Sequence, residues 1–196
     1  MKIKICGITN EDDANYALKK GADIIGVILD FGIKRHGTED LIEKIKEDHP
    51  DALLTGVYTS LPSIAGKEDY VQLHFRHSQE DIIYVRKVLG KKVISVIDFH
   101  EENIREKAKL HLDAGADYVL LEDRKGIIGR KNELMEMPMG GIGIAGKIDS
   151  ENLQSLLQLN PDLIDVSSSL EETIGKKSFK KIDEFFNIVG EYSVIR

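Results

Sequence analysis

The only cysteine of the chain, Cys6, closes the first apolar run in MKIKICGITN, directly before a glycine and the polar start of a helix-like segment. A thiol at a strand end that faces a helix N-terminus meets backbone N–H groups and the positive end of the dipole, which favour the thiolate and make it a candidate base. Glu122 and Asp123 close a second apolar run, DYVLLED. A carboxyl partly shielded from water there is expected to have a raised pKa and to serve as a general acid. Two later run ends, GIAGKIDSEN and DVSSSLEE, join small residues, hydroxyls and a lysine ahead of helix starts. Backbone N–H groups at these two run ends can cradle a phosphate. Arg35, in the basic turn IKRHG, can meet a carboxylate bidentately. His74 closes the run YVQLH, but with His77 it lacks the spacing of a helical metal site. No cluster of cysteines or carboxylates completes a coordination shell, so no metal is expected.

Each of these residues has a plainer role to compete with. A lone cysteine usually packs as a small hydrophobe, acidic residues after strands are common solvated loop residues, and small polar residues before helices are ordinary turns and caps. What tips the balance is the arrangement of the elements that carry them.

Short apolar runs rich in Val, Ile and Leu recur at 2–6, 23–29, 53–59, 70–74, 92–98, 117–122, 141–145 and 163–168. Between them lie amphipathic stretches with polar starts, after Asn10, Thr38, Ser78, His100, Asp149 and Ser178. The first has three acidic residues in its first turn, lysines near its end and Gly21 as its stop. Near-continuous apolar runs suit strands covered on both faces, and eight of them alternating with helices predict a closed parallel (β/α)₈ (TIM) barrel. The connections after the third and sixth strands, SLPSIAGKED and DRKGIIGRKNELMEMPM, are too short or irregular for full helices. In such a barrel the C-terminal ends of the strands form one rim. Cys6, His74, Glu122 with Asp123, Gly146 with Lys147, and Ser167 to Ser169 then converge, although they are far apart in sequence. The last two strand ends are also where barrels of this kind often place a phosphate.

The 196 residues suit a single domain over 1–196, and no apolar stretch approaches membrane-spanning length. A net charge of -7 and the lack of any tryptophan disfavour a nucleic-acid partner. With one cysteine and no secretory pattern at the start, a cytoplasmic setting is expected. A Walker sequence is missing, which weakens nucleotide-binding readings. His36, His49, His100 and His111 have no assigned chemistry and are expected at the surface or in packing.

KICGIT, GADIIGV, VQLH and DVSSSLE, in this order and at these separations, resemble the phosphoribosylanthranilate isomerase family of tryptophan biosynthesis, over residues 2 to about 186. The resemblance implies a small (β/α)₈ barrel without a cofactor, acting on a phosphorylated small molecule. The reaction it implies is the Amadori rearrangement of N-(5-phosphoribosyl)anthranilate to 1-(2-carboxyphenylamino)-1-deoxyribulose 5-phosphate. It further implies Cys6 as general base and a carboxyl of LLED as general acid. Arg35 would meet the anthranilate carboxylate, His74 would line the pocket and Asp165 would contact substrate hydroxyls. Gly146, Lys147, Ser168 and Ser169 would hold the phosphate. Barrels of this family occur as monomers and dimers, so a homodimer is one of two assemblies open to the chain.

The sequence departs from the family pattern in several places. An ungapped match puts Glu122 where the family has aspartate, with Asp123 one step beyond. Strand alternation sends the two to opposite faces, so register favours Glu122 and leaves Asp123 as its rival. The glycine-rich stretch after strand six is replaced by GIIGRKNEL, Lys147 and Ser169 stand where glycines are usual, and Phe75 replaces another. Two other readings compete: a related sugar isomerase or synthase on the same phosphate-binding barrel, and a non-catalytic phosphate-ligand binder descended from the enzyme. The cysteine argues against a histidine-pathway isomerase, whose first strand ends in aspartate.

Overall fold

Alternation along the apolar runs decides which side chains enter the barrel and which meet the helices. In the computed structural model, which describes residues 1–194, the strands are β1 (Lys2–Ile5), β2 (Ile24–Ile28), β3 (Leu53–Tyr58), β4 (Tyr70–Leu73), β5 (Lys92–Asp98), β6 (Tyr118–Glu122), β7 (Ile142–Ala145) and β8 (Leu163–Val166). They form a closed parallel barrel in chain order, with β8 returning to β1 in the register Lys4↔Asp165 and Ile5↔Val166. Ile24, Tyr70, Ile94, Leu120 and Leu163 pack together inside the barrel. Their neighbours Ile25, Val71, Val93, Leu121 and Ile164 belong to the larger core between strands and helices. Carried forward by the two-residue period, the inner set includes Lys4, Cys6, His74, Glu122 and Asp165, whereas Asp123 falls in the outer set.

Helices α1 (Glu11–Lys20), α2 (Glu39–Asp48) and α3 (Gln79–Lys87) start at the expected caps: the side chains of Asn10, Thr38 and Ser78 accept from backbone N–H groups of Asp13, Leu41 and Asp81. Gly21 ends α1 at φ 112°, a left-handed position where a Cβ would be strained. The remaining helices are α4 (Ile104–Asp113), α5 (Lys131–Met135), α6 (Leu153–Leu157) and α7 (Phe179–Val194). As expected, no helix follows β3, and only a 3₁₀ turn (Ile127–Arg130) with the short α5 follows β6. The segment after β7 is shorter than its pattern suggested. The Asp149 carboxylate accepts from the N–H groups of Glu151 and Asn152, holding 149–152 in a turn, and Pro161 disfavours helix at the residue before it. A small hairpin, β9 (Glu171–Thr173) and β10 (Lys176–Lys177), has no counterpart among the expected strands. No helix among the described residues is long and apolar enough to cross a membrane.

Candidate active site

The C-terminal rim of the barrel encloses a cavity of about 520 Å³. Cys6, Arg35, Gln72, His74, Glu122, Arg124, Gly146, Lys147, Asp165, Ser168 and Ser169 all line it. Nine of the ten sequence-derived site residues therefore share one space; Asp123 is not among the lining residues.

Cys6 is buried at the cavity floor. Beside its sulfur lies the ammonium of Lys4, a lysine fully buried inside the barrel and paired with Asp165 at 2.8 Å. Gly26 makes room for both: a Cβ there would sit 2.9 Å from Cys6 Sγ and 2.9 Å from Lys4 Nζ. The sequence-derived expectation that the first helix stabilises a thiolate is outweighed here. Burial pushes the Cys6 thiol above its ordinary range, and the charges of Lys4 and Lys177 pull it back without cancelling that effect. Burial likewise pulls on Lys4, but Asp165 and Cys6 hold its pKa above the ordinary value. Asp165 is pushed up by burial against the pull of Lys4, and its Oδ1 is buried without a hydrogen-bond partner. Together with the unpartnered Oε1 of Gln72, that atom offers a polar floor on which substrate hydroxyls can donate.

On the opposite side, Glu122 Oε2 lies 3.2 Å from His74 Nε2 and 3.3 Å from Arg124 Nε. Burial raises its carboxyl, but the His74 hydrogen bond and the nearby charges outweigh this and hold it below its ordinary value. A phosphorylated, carboxylated ligand entering beside it adds negative charge and shifts it back toward the acid form. Asp123 behaves differently. Its carboxylate accepts from Arg130 Nε at 2.9 Å and from the Lys125 N–H at 2.8 Å, buried under the loop after β6. This pairing braces that loop.

Gly146 sits at φ +120°, and a Cβ on it would come within 2.0 Å of the Asp123 carbonyl oxygen. Its glycine is thus required by the contact between the β6 and β7 ends. Lys147 follows at φ +48°, a left-handed conformation uncommon outside glycine, with its carbonyl held by Asn152 Nδ2 at 2.8 Å. The Ser169 hydroxyl donates to the Ile148 carbonyl, so toward an anion Ser169 offers its backbone N–H. Arg35 is already engaged: its Nε and Nη2 donate to the two oxygens of Glu171 at 2.7 and 3.0 Å. Glu171 is pulled down by Arg35 and Lys177 despite its burial. Lys177 is also buried and donates to the carbonyls of Cys6 and Ser167 at 2.7 and 3.1 Å.

A basic thiol, a carboxyl across from it, a cationic arm and a loop pair with lysine and small residues make a site for acid–base chemistry on an anionic ligand. The family model described as N-(5′-phosphoribosyl)anthranilate (PRA) isomerase matches residues 3–188. The chain belongs to this family. The N-(5′-phosphoribosyl)anthranilate isomerase of Thermoplasma volcanium is 40% identical over 196 residues, covering 97% of each chain. That of Methanocaldococcus jannaschii is 30% identical and covers 96% of each. The crystal structure of phosphoribosyl anthranilate isomerase from Thermus thermophilus superposes with a TM-score of 0.75 at 25% identity, over 98% of this chain and 100% of that one.

Lys4, Gln72, Arg124, Glu171 and Lys177 were not singled out from the sequence. Lys4 carried a signal, because a lysine between Ile3 and Ile5 occupies an inward position of an apolar strand. Glu171 closes the DVSSSLE stretch, but its contact with Arg35, like the contacts of Lys177, depends on the hairpin that joins them.

Proposed function

We propose that this chain isomerises N-(5′-phosphoribosyl)anthranilate with Glu122 as general acid and Cys6 as general base. The reaction is the one its family catalyses in tryptophan biosynthesis. Glu122 delivers a proton to the ribose ring oxygen, the C1–O bond breaks, and the anthranilate nitrogen carries the resulting Schiff base. The Cys6 thiolate then takes the proton from C2, giving an enolamine that tautomerises to the ketose. Lys4 sits where its charge favours the thiolate form of Cys6 against the effect of burial, and His74 with Arg124 receives the negative charge left on Glu122. Arg35 meets the anthranilate carboxylate, Asp165 accepts from the sugar hydroxyls, and Gly146, Lys147, Ser168 and Ser169 hold the phosphate.

The observation that carries this reading is that Glu122, and not Asp123, shares the cavity with Cys6. A cavity of about 520 Å³ is also within the usual range for a ligand of this size. We place the protein in the cytoplasm, where a lone thiol stays reduced. Expression in a tryptophan auxotroph that lacks the isomerase tests the function: growth without tryptophan is expected, and failure of a soluble, folded protein to restore growth contradicts it.

A further inference from the structure

A guanidinium has two edges that can each grip a carboxylate: a side edge made of Nε and one terminal nitrogen, and an end edge made of the two terminal nitrogens. Glu171 takes the side edge of Arg35, with both bonds short. Glu171 itself is nearly inaccessible to solvent, and Lys177 Nζ stands 3.4 Å from its Oε1. Lys177 is in turn tied to the backbone carbonyls at the ends of β1 and β8. The carboxylate is therefore fixed to the rigid barrel while the arginine comes from a loop. A free arginine on that loop would sample many rotamers and lose that entropy on binding a ligand. A braced one loses less, and Arg35 lines the cavity with its side edge already taken.

We propose that Glu171 is a positioning residue that turns the end edge of Arg35 to the substrate, so that the site selects ligands bearing a carboxylate on their aromatic ring. The proposal rests on the reading of Arg35 given under Proposed function. Lys177 completes the device by keeping Glu171 ionised and in place.

The test compares two ligands by titration calorimetry: 1-(2-carboxyphenylamino)-1-deoxyribulose 5-phosphate and the same compound without its carboxyl group. The native protein should bind the carboxylated ligand roughly tenfold or more tightly, the worth of a charge-assisted bidentate contact. In Glu171→Gln this ratio should fall toward one, while affinity for the carboxyl-free ligand stays within about twofold, as that ligand needs only the phosphate and hydroxyl contacts. Equal losses for both ligands, or a ratio unchanged from the native protein, would overturn the proposal. A native ratio of one would overturn the reading of Arg35 itself, and this proposal with it. Because Glu171 is buried, Arg35→Lys gives a second measurement that leaves Glu171 untouched. A lysine has no second edge once it pairs with Glu171, so the ratio should again collapse; a fully retained ratio in Arg35→Lys refutes the two-edge geometry.

Discussion

Replacing Lys4 with Met removes the charge beside the Cys6 sulfur while keeping most of the side-chain volume inside the barrel. Lys4 Nζ and Cys6 Sγ each lie 2.9 Å from the point where a Gly26 Cβ would sit, so they are no more than twice that distance apart. At an effective dielectric of about 20, unit charges about 5 Å apart interact by about 3 kcal/mol, or about two pK units. Asp165 loses its partner in the variant, and its carboxyl, already pushed up by burial, takes a proton. That also removes the Asp165 field that opposes the thiolate, so the net upward shift of Cys6 falls between about one and two units. At any pH below the thiol pKa the thiolate population then drops roughly ten- to hundredfold, and the proposed proton abstraction slows in proportion. Cys6 is the only cysteine, so the rate of alkylation by iodoacetamide as a function of pH reports this group alone. A midpoint unchanged or lowered in folded Lys4→Met would refute the role given to Lys4.

Gly146→Ala should destabilise the protein by several kcal/mol, since its Cβ meets the Asp123 backbone at 2.0 Å in a left-handed conformation; a denaturant midpoint close to the native one would contradict this. Acid should weaken the fold through His77 and His111, which are bridged by the Ser95 hydroxyl at 2.9 and 2.7 Å. Burial lowers both histidines, His111 to about 4 from an ordinary 6.5. The unfolded chain binds protons there that the folded one resists, so this stability is complete above pH 6.5 and is lost as pH falls from 6.5 toward 4. The slope is up to about 1.4 kcal/mol per pH unit for each histidine. Urea unfolding between those limits should show it in the native protein and lose most of it in His111→Phe.

The barrel was legible because its signal is local and repeated. Each strand is a short apolar run, and α1, α2 and α3 each open with a polar cap, α1 also closing at Gly21. The rim followed from topology, and alternation sent Glu122 and Asp123 to opposite faces without deciding between them. What escaped were properties set by three-dimensional neighbours. The environment of Cys6 depends on Lys4, Asp165 and Lys177, which come from two strands and a hairpin, and no local pattern announces that burial will dominate over the helix end. The prior engagement of Arg35 by Glu171, 136 positions away, is of the same kind. Gly146 looked like a phosphate-loop glycine, and its packing reason, the Asp123 carbonyl, became visible only with the two strand ends side by side.

The division of labour between Cys6 and Glu122 is tested most directly by steady-state turnover of N-(5′-phosphoribosyl)anthranilate in Cys6→Ala, Glu122→Gln and Asp123→Asn. Loss of a general acid or base removes roughly a hundred- to ten-thousandfold of rate. The first two variants should lose kcat by that factor while binding the product within a few-fold of the native protein, and folded Asp123→Asn should keep most of its turnover. Native-like kcat in Cys6→Ala or Glu122→Gln, or a collapse confined to Asp123→Asn, would contradict the mechanism.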